Sequence, residues 1–386
     1  MEFVELTVDE FKEARKKFEG NSFYQTYHWT KVKEMNGWDC FIVGVKQDNE
    51  IIACSIILGK KMHIDRYLYY APRGMLLDYN NKELLEFFVK NIKQFLKERK
   101  GFKFKIDPLV EYQKHDKYGN VINEEFSNQG IIDNLKKLGF KHHGFTKGYA
   151  NEVQFRWSYC LDLDKSLDDL IEEMDQRCRR CLRKAYKYPL VLEDVNDENI
   201  LEFKEIMKST AIRQKHVDRS LEYYSSLDKK LKNMSRLVIV YLDRDKYLEE
   251  FKDDSLYDLI SKDNRKKIPV SAGVFVFDQE RGNYVYGGTH KEYMHFMAPY
   301  MVQLEMIKYT ISLGLKKYDF GGISGIFDPK SPNYGVYEFK RGFGGYVLEY
   351  IGEFDLILDK PVSILFSVSY FVYGKLKSIL HIFKKA

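Results

Sequence analysis

Apolar residues recur along the chain at two periods. Residues 3–19 open as a short strand and continue as a helix, VDEFKEARKKFE. Compact apolar runs at 40–45, 51–58 and 67–70 have the length of buried or half-buried strands. The spacing then turns helical: Leu84, Leu85, Phe88, Ile92 and Phe95 share one face of ELLEFFVKNIKQFLKER, with Asn80 as the cap and Gly101 as the stop. FKFKID follows as a strand, and a second helix over 131–138 ends at Gly139. A third helix opens at Ser166, with Asp169 three positions on, and is expected to run unbroken to Pro189. Its apolar stripe passes from Leu167 and Leu170 through Met174, Cys178 and Cys181 to Ala185. A helix near 202–212 and strands at 237–242 and 270–277 follow. Between those strands, 15 of the 25 residues of 243–267 are charged, which predicts a solvated hairpin or loop rather than core.

One unit occurs twice. Strand LYYAPRG, a long helix and strand FKFKIDP are matched later by strand YVYGGTH, helix YMVQLEMIKYTISLG and strand KKYDFGG. Tyr70 to Asp107 spans 37 positions and Tyr286 to Asp319 spans 33, each unit ending in an Asp just past a strand. Strand ends of this kind are where α/β proteins place ligands. The repeat predicts two copies of one mixed α/β (α+β) domain.

Charge sharpens this. The 386 residues hold 62 Lys+Arg against 57 Asp+Glu, a net +5, and the whole excess comes from five lysines after residue 359. Residues 1–359 sum to zero, so a general basic nucleic-acid coat is excluded and any basic footprint is local. An apolar content of 44% with 31% charged residues is that of a globular chain. The 29 Tyr and 27 Phe reflect either compositional bias or an aromatic-lined cleft. Five cysteines make no disulfide framework, and MEFVELTVDEF has no basic-then-apolar leader. No apolar run reaches the roughly 18 residues of a membrane span, so a cytoplasmic protein is expected. Residues 361–374 carry no charge, and Lys375, Lys377, Lys384 and Lys385 then surround Leu376, Ile379, Leu380, Ile382 and Phe383. Such a tail suits peripheral contact with an anionic membrane, or docks on the protein as a terminal helix.

Few residue sets carry chemistry. Cys178-x-x-Cys181 lacks a second Cys/His pair and falls on the apolar stripe, so core packing is expected. Arg177, Arg180, Lys184 and Lys187 align on another face, with Arg179 and Arg183 beside them and no acid from 176 to 192. Bases at a helix end suit its dipole, and such a stripe also suits a phosphate backbone. There is no phosphate-binding loop, and the GGISG and GFGG glycines are read as turns or close approaches. No metal-ligand spacing is evident. What remains is Asp107 after an alternating strand, Lys340 in YEFKRGFGG, and Lys33 between tryptophans in WTKVKEMNGW. An acid and a lysine can organise amine acylation, the acid positioning or deprotonating an ammonium and the lysine stabilising an oxyanion. Alone, each such residue is far more often a surface charge or salt-bridge partner.

The ordered set YQTYHWTKVKEMNGWD, YYAPRGMLLDY, FKFKIDP, LKKLGF, DQRCRRCLRKAYKY, YVYGGTH, APYMVQLEMIKY, YDFGGISG and GVYEFKRGFGG resembles the FemABX family over about residues 1–355. Its members are aminoacyl-tRNA-dependent peptidyltransferases of peptidoglycan bridges. The resemblance implies two tandem GNAT-like domains, 1–150 on the acceptor side and 151–358 with the short charged insertion 243–267, then the basic amphipathic tail 359–386. It implies transfer of an amino acid from aminoacyl-tRNA to the stem-peptide amine of a peptidoglycan precursor, lipid II or UDP-MurNAc-pentapeptide. No metal or cofactor is implied, and a monomer or weak homo-oligomer at the inner face of the cell membrane is expected.

Carried over by resemblance, Asp107 and Lys340 are catalytic, Lys33 contacts the precursor's diphosphate and Arg213 the acceptor. Tyr284 and Tyr286 line the cleft, Phe339 with Lys340 holds the tRNA end, and Arg177, Arg180, Arg183, Lys184 and Lys187 contact tRNA. Phe102 stands where an acceptor-binding tyrosine is expected, and the match is loose around 216–217. The short insertion implies a short-arm or armless branch. The alternatives are an N-acyltransferase with a different amine acceptor or donor, and a silent member that binds RNA or lipid.

Overall fold

The computed structural model describes residues 1–18, 21–62, 65–149 and 154–369. One sheet runs in the order β1 (Glu2–Glu5), β2 (Asp39–Gln47), β3 (Glu50–Lys61), β4 (Tyr67–Ala71), β5 (Gly101–Ile106), β15 (Phe354–Ile357) and β7 (Phe140–His142). The other runs β6 (Glu111–Lys114), β14 (Tyr346–Tyr350), β8 (Trp157–Asp162), β13 (Lys317–Ile323), β12 (Arg281–Thr289), β11 (Lys267–Asp278), β10 (Ser235–Asp243) and β9 (Leu190–Asp194). Among the described residues each sheet has a single parallel pair, β4 with β5 and β12 with β13. A helix joins each pair, Lys82–Glu98 in the first and Ala298–Ser312 in the second. These are the two copies of the repeated unit.

The halves also exchange strands. The expected division at residue 150 falls between β7 and β8, yet β6 pairs with β14 in the second sheet. In return β15 inserts between β5 and β7 in the first.

The helices are α1 (Val8–Arg15), α2 (Tyr27–Glu34), α3 (Lys82–Glu98), α4 (Gln129–Lys137), α5 (Leu167–Glu173) and α6 (Gln176–Lys187). They continue as α7 (Ile200–Gln214), α8 (Leu221–Leu231), α9 (Arg244–Glu250), α10 (Tyr257–Ser261), α11 (Ala298–Ser312) and α12 (Tyr334–Arg341). The α3 cap is Asn81, whose Oδ1 accepts from Leu84 N at 3.1 Å, because Asn80 is spent in the turn after Asp78. The expected single helix from Ser166 is two. Met174 and Asp175 are extended, and Asp175 N donates to Gly342 O at 2.9 Å. The Asp175 carboxylate takes Lys117 at 3.3 Å and Arg341 at 3.7 Å, so distant partners outcompete helix continuation.

The charged stretch 243–267 is likewise not a loop. It contains α9 and α10, and its apolar minority turns inward, with Tyr247 and Ile260 fully buried in the second sheet's core. A separate core joins the halves: Phe23, Trp29 and Val32 pack with Phe203, Ile206, Tyr224 and Leu227. A buried ion pair from Arg15 to Asp278, at 2.7 Å, links the same halves. Breaking one partner of such a pair costs about 3–5 kcal/mol. A last helix occupies 360–369. The expectations for Lys375, Lys377, Lys384 and Lys385 lie outside the described residues.

Candidate active site

The two parallel pairs end differently. In the first sheet, pairing persists from Tyr67 with Gly101 to Ala71 with Ile106, and Asp107 follows directly. In the second, it stops at Asn283 with Asp319, although β12 continues to Thr289 and β13 to Ile323. Asp319 therefore lies inside its strand, not past it as the repeat predicted. Two irregularities end the pairing. Against β11, Val274 opposes Tyr286 and Phe275 opposes Tyr284, leaving Val285 as a bulge. Against β8, β13 shifts register between Asp319 and Gly322. There Gly321 adopts φ +76°, and a Cβ on it would stand 2.8 Å from the Tyr284 carbonyl oxygen. Only glycine suits that place. Asp319 secures the bulge by accepting from Gly321 N at 2.7 Å and from the Ser158 hydroxyl.

Lys340, in the last turn of α12, is 6% exposed and its Nζ donates to Gly322 O at 2.7 Å. Burial lowers its amine from 10.5 to about 7, opposed only by the charge of Asp319. On the first sheet, Asp107 is 3% exposed. Its carboxylate accepts from the Tyr70 hydroxyl at 2.9 Å and from Arg73 N at 2.8 Å. Burial raises its carboxyl from 3.8 to about 6, against the pull of Arg73 and those hydrogen bonds.

A line of buried groups joins the two. The Arg73 guanidinium lies over the rings of Phe155 (4.9 Å) and Tyr350 (4.6 Å) and donates to Phe155 O at 2.7 Å. Tyr350 feels the charges of Arg73, Arg281 and Asp319 together. Arg281 reaches Asp319 at 3.7 Å. Tyr24 bridges the same gap: besides burial, its hydroxyl is influenced by Tyr286, Arg73, Asp107 and Asp319.

The third element is a pair of cations. Lys33, near the end of α2, is half-buried with its ammonium over Trp29 (5.0 Å) and Trp38 (5.8 Å). Burial and the charge of Arg219 lower it to about 8. Arg219, between α7 and α8, lies over Tyr223 (5.5 Å) and Tyr286 (5.9 Å). Among the described residues neither cation has a carboxylate within salt-bridge distance. Two cations so placed, walled by aromatics, can receive an anion.

The FemAB family model matches residues 6–257 and 254–370. This chain belongs to the FemAB family. The aminoacyltransferase FemA of Staphylococcus epidermidis is 29% identical across 98% of this chain and 100% of its own length. FemA of Staphylococcus aureus is also 29% identical, across 98% and 99%. Among solved structures, FemX superposes with a TM-score of 0.80 at 26% identity, covering 95% of this chain and 99% of that one. A tandem GNAT protein from the clavulanic acid biosynthesis pathway, 10% identical with a TM-score of 0.54, shares the fold, over 93% of this chain and 99% of its own. The two sheets are thus tandem GNAT-like units, and the protein is an aminoacyltransferase.

The remaining predicted residues of this FemAB protein divide. Arg213 is engaged internally, donating to Thr289 O at 2.7 Å and to Thr210 Oγ1 at 3.4 Å, so it fastens β12 to α7. The bulge separates the two tyrosines. Tyr284 stacks on Phe275 at 5.2 Å within the second core, while Tyr286 faces Tyr223 and Tyr224. Phe339 packs edge-on against Tyr300 at 4.9 Å. On α6, Arg177 pairs with Glu338 at 2.6 Å and Lys184 meets His295 at 3.3 Å. Arg180, Arg183 and Lys187 are exposed. The Arg177–Glu338 pair puts this basic face beside α12, the helix that carries Lys340. Cys178 and Cys181 are buried as free thiols.

Tyr24, Arg73, Arg219 and Arg281 were not singled out from sequence. Arg73 was within reach, in the motif YYAPRG. Arg219 had no local signal, because its role depends on α8 packing against α2.

Proposed function

We propose that this FemAB aminoacyltransferase moves an amino acid from the 3′ ester of an aminoacyl-tRNA to the stem-peptide side-chain amine of a peptidoglycan precursor, building an interpeptide bridge at the cytoplasmic face of the cell membrane. The observation that carries this reading is the buried pair of titratable groups, Asp107 at about 6 and Lys340 at about 7, on two sheets linked through Arg73, Tyr350, Arg281 and Asp319. An alkyl ammonium has a pKa of about 10.4 and must lose a proton before it attacks. Asp107, ionised at neutral pH, holds that ammonium and accepts its proton. The amine nitrogen then attacks the ester carbonyl, and the protonated Lys340 faces the oxyanion that forms. The amide C–N bond forms as the ester C–O bond breaks; the nitrogen's second proton leaves with the 3′ oxygen of the tRNA, and Asp107 releases the first to solvent. The ester supplies the driving force, so no nucleotide is hydrolysed.

Lys33 and Arg219 hold the precursor's diphosphate, and Arg180, Arg183 and Lys187 approach the tRNA backbone. The compact α9–α10 pair occupies the place of a longer arm. In support, the FemA alignments extend over 424 and 426 positions, more than the 386 residues of this chain.

The test is transfer from a panel of charged tRNAs to lipid II and to UDP-MurNAc-pentapeptide. Failure of every donor with both acceptors would sink the proposal.

A further inference from the structure

The charged insertion carries one acid that is fully engaged. Asp254 lies in the link between α9 and α10, and four donors converge on its carboxylate. Oδ1 accepts from the Tyr247 hydroxyl at 2.8 Å and from Leu256 N at 2.9 Å. Oδ2 accepts from the Tyr188 hydroxyl at 2.7 Å and from His295 Nε2 at 3.2 Å. Burial opposes ionisation, but these hydrogen bonds hold the carboxyl below its ordinary range, so it is charged and only accepts. Tyr188 gives its proton to Asp254, and its oxygen lies 2.9 Å from the same His295 Nε2. Nε2 therefore carries the ring proton, and Nδ1 presents a lone pair. Lys184 Nζ stands 3.3 Å from that Nδ1 and donates to it. A second contact joins the insertion to α6. The Lys187 ammonium lies over the ring of Phe251 at 5.9 Å, and Phe251 packs on Tyr247 at 5.4 Å and on Tyr188 at 4.9 Å. Lys184 and Lys187 are the basic residues of the last turn of α6, one turn apart. Both meet side chains that the insertion supplies or holds. Among the described residues neither has a carboxylate within salt-bridge distance, whereas Arg177 is paired with Glu338.

We propose that Asp254 and His295 are positioning residues for the RNA-binding face: through one imidazole they hold Lys184 as a fixed, charged contact for the tRNA phosphate backbone, with the insertion as the brace. The proposal rests on the reading of α6 as the tRNA face and adds to it residues outside the helix. A free lysine loses rotamer freedom when it settles on a phosphate, and a lysine already tied to a ring has given up much of that freedom beforehand. A carboxylate in the place of His295 would tie the lysine equally well but cancel its charge. The imidazole, turned by Asp254, takes one N–H of the ammonium, keeps the acid a ring's width away and leaves the other N–H groups for phosphate. The insertion that stands where a longer arm would be thus has its own task, to stiffen the basic end of α6.

The experiment measures binding of deacylated bulk tRNA to the full chain by fluorescence anisotropy across a KCl series. Lys184→Ala should weaken binding about three- to tenfold and flatten the slope of log K against log[KCl] by about 1, as loss of one phosphate contact does. His295→Gln keeps a donor towards Asp254 but offers Lys184 no acceptor at the Nδ1 position, and it should give most of that change. His295→Asn restores an acceptor there and should bind nearly as the wild type does. Adding His295→Gln to Lys184→Ala should cost nothing further, since both act through one contact. With charged tRNA as donor, His295→Gln should raise KM for the tRNA and leave KM for the precursor unchanged. Equal losses in His295→Gln and His295→Asn, or a double variant weaker than Lys184→Ala, would assign the cluster to docking the insertion and overturn the proposal. So would a wild-type salt slope in His295→Gln. If alanine at Arg180, Arg183, Lys184 and Lys187 together leaves tRNA binding at the wild-type level, the reading of α6 as the RNA face fails, and the proposal falls with it.

Discussion

Replacing Lys340 with methionine should make the protein more stable near neutral pH and much less active. The amine is 6% exposed and its pKa falls from 10.5 to about 7, so between those values the unfolded chain holds a proton that the folded chain has released. Stability then rises with pH, by about 1.4 kcal/mol per pH unit. From about pH 7 to 9 this group alone adds about 2.5 kcal/mol to the wild type and nothing to the methionine variant. With a melting entropy of about 0.8 kcal/mol/K for a chain of this length, the wild-type midpoint gains about 3 °C on the variant over that range. At pH 7 the full cost of stripping the proton is about 5 kcal/mol. Methionine avoids it but loses the hydrogen bond to Gly322 O, worth about 1 kcal/mol, and orphans that carbonyl at about 1–3 kcal/mol. The variant should therefore be about 2 kcal/mol more stable at pH 7. Thermal melts of both proteins at several pH values test this, because groups common to both cancel in the difference. Turnover at saturating substrate should fall about 10²–10³-fold, as for loss of an oxyanion donor. Parallel midpoint-against-pH curves, or a variant less stable at neutral pH, would refute the assignment of Lys340 as a buried amine whose pKa falls to about 7.

Asp107→Asn keeps an acceptor for Arg73 N but cannot take a proton, so kcat should fall about 10²–10⁴-fold. The acid limb of the wild-type kcat/KM profile, expected near the carboxyl's value of about 6, should vanish; a variant that keeps both rate and limb would exclude Asp107 as the base. Because its folded pKa is raised, Asp107 costs the wild type stability as pH climbs from 3.8 through about 6, and the asparagine variant should lack that decline in melts. Lys33→Ala and Arg219→Ala should each raise KM for the precursor about tenfold with kcat nearly unchanged, and should leave an acceptor without the diphosphate unaffected. Equal losses on both acceptors would refute the diphosphate assignment. Gly321→Ala meets φ +76° and the Tyr284 carbonyl at 2.8 Å, so stability should drop about 1–3 kcal/mol and kcat with it. An unchanged melt would mean that the bulge is not strained by a side chain.

Local order was legible because period and capping are properties of neighbouring residues. The stripe of α3, the apolar runs of β2 and β3, and the duplicated strand–helix–strand unit all appear in the spacing of side chains, as does the buried Cys178–Cys181 face of α6. Errors began where remote partners compete with local preference. The helix from Ser166 breaks at Asp175 because Gly342, Lys117 and Arg341 reach it from elsewhere in the chain. Charge density hid Tyr247 and Ile260, whose burial depends on the core above them.

The candidate site shows the same limit. Asp107, Lys340 and Lys33 could be named in a sequence, since each sits in a distinctive motif. That the charge of Arg219 reaches Lys33 while Arg213 ties α7 to β12 is decided by how α7 and α8 pack. That Tyr284 and Tyr286 part company is decided by one bulge. The chain by itself determined most of its elements, their repetition and the residue types available for acylation. Only the tertiary structure decided which of them meet and what their protons do, because burial and distance, which set both, are properties of the folded whole.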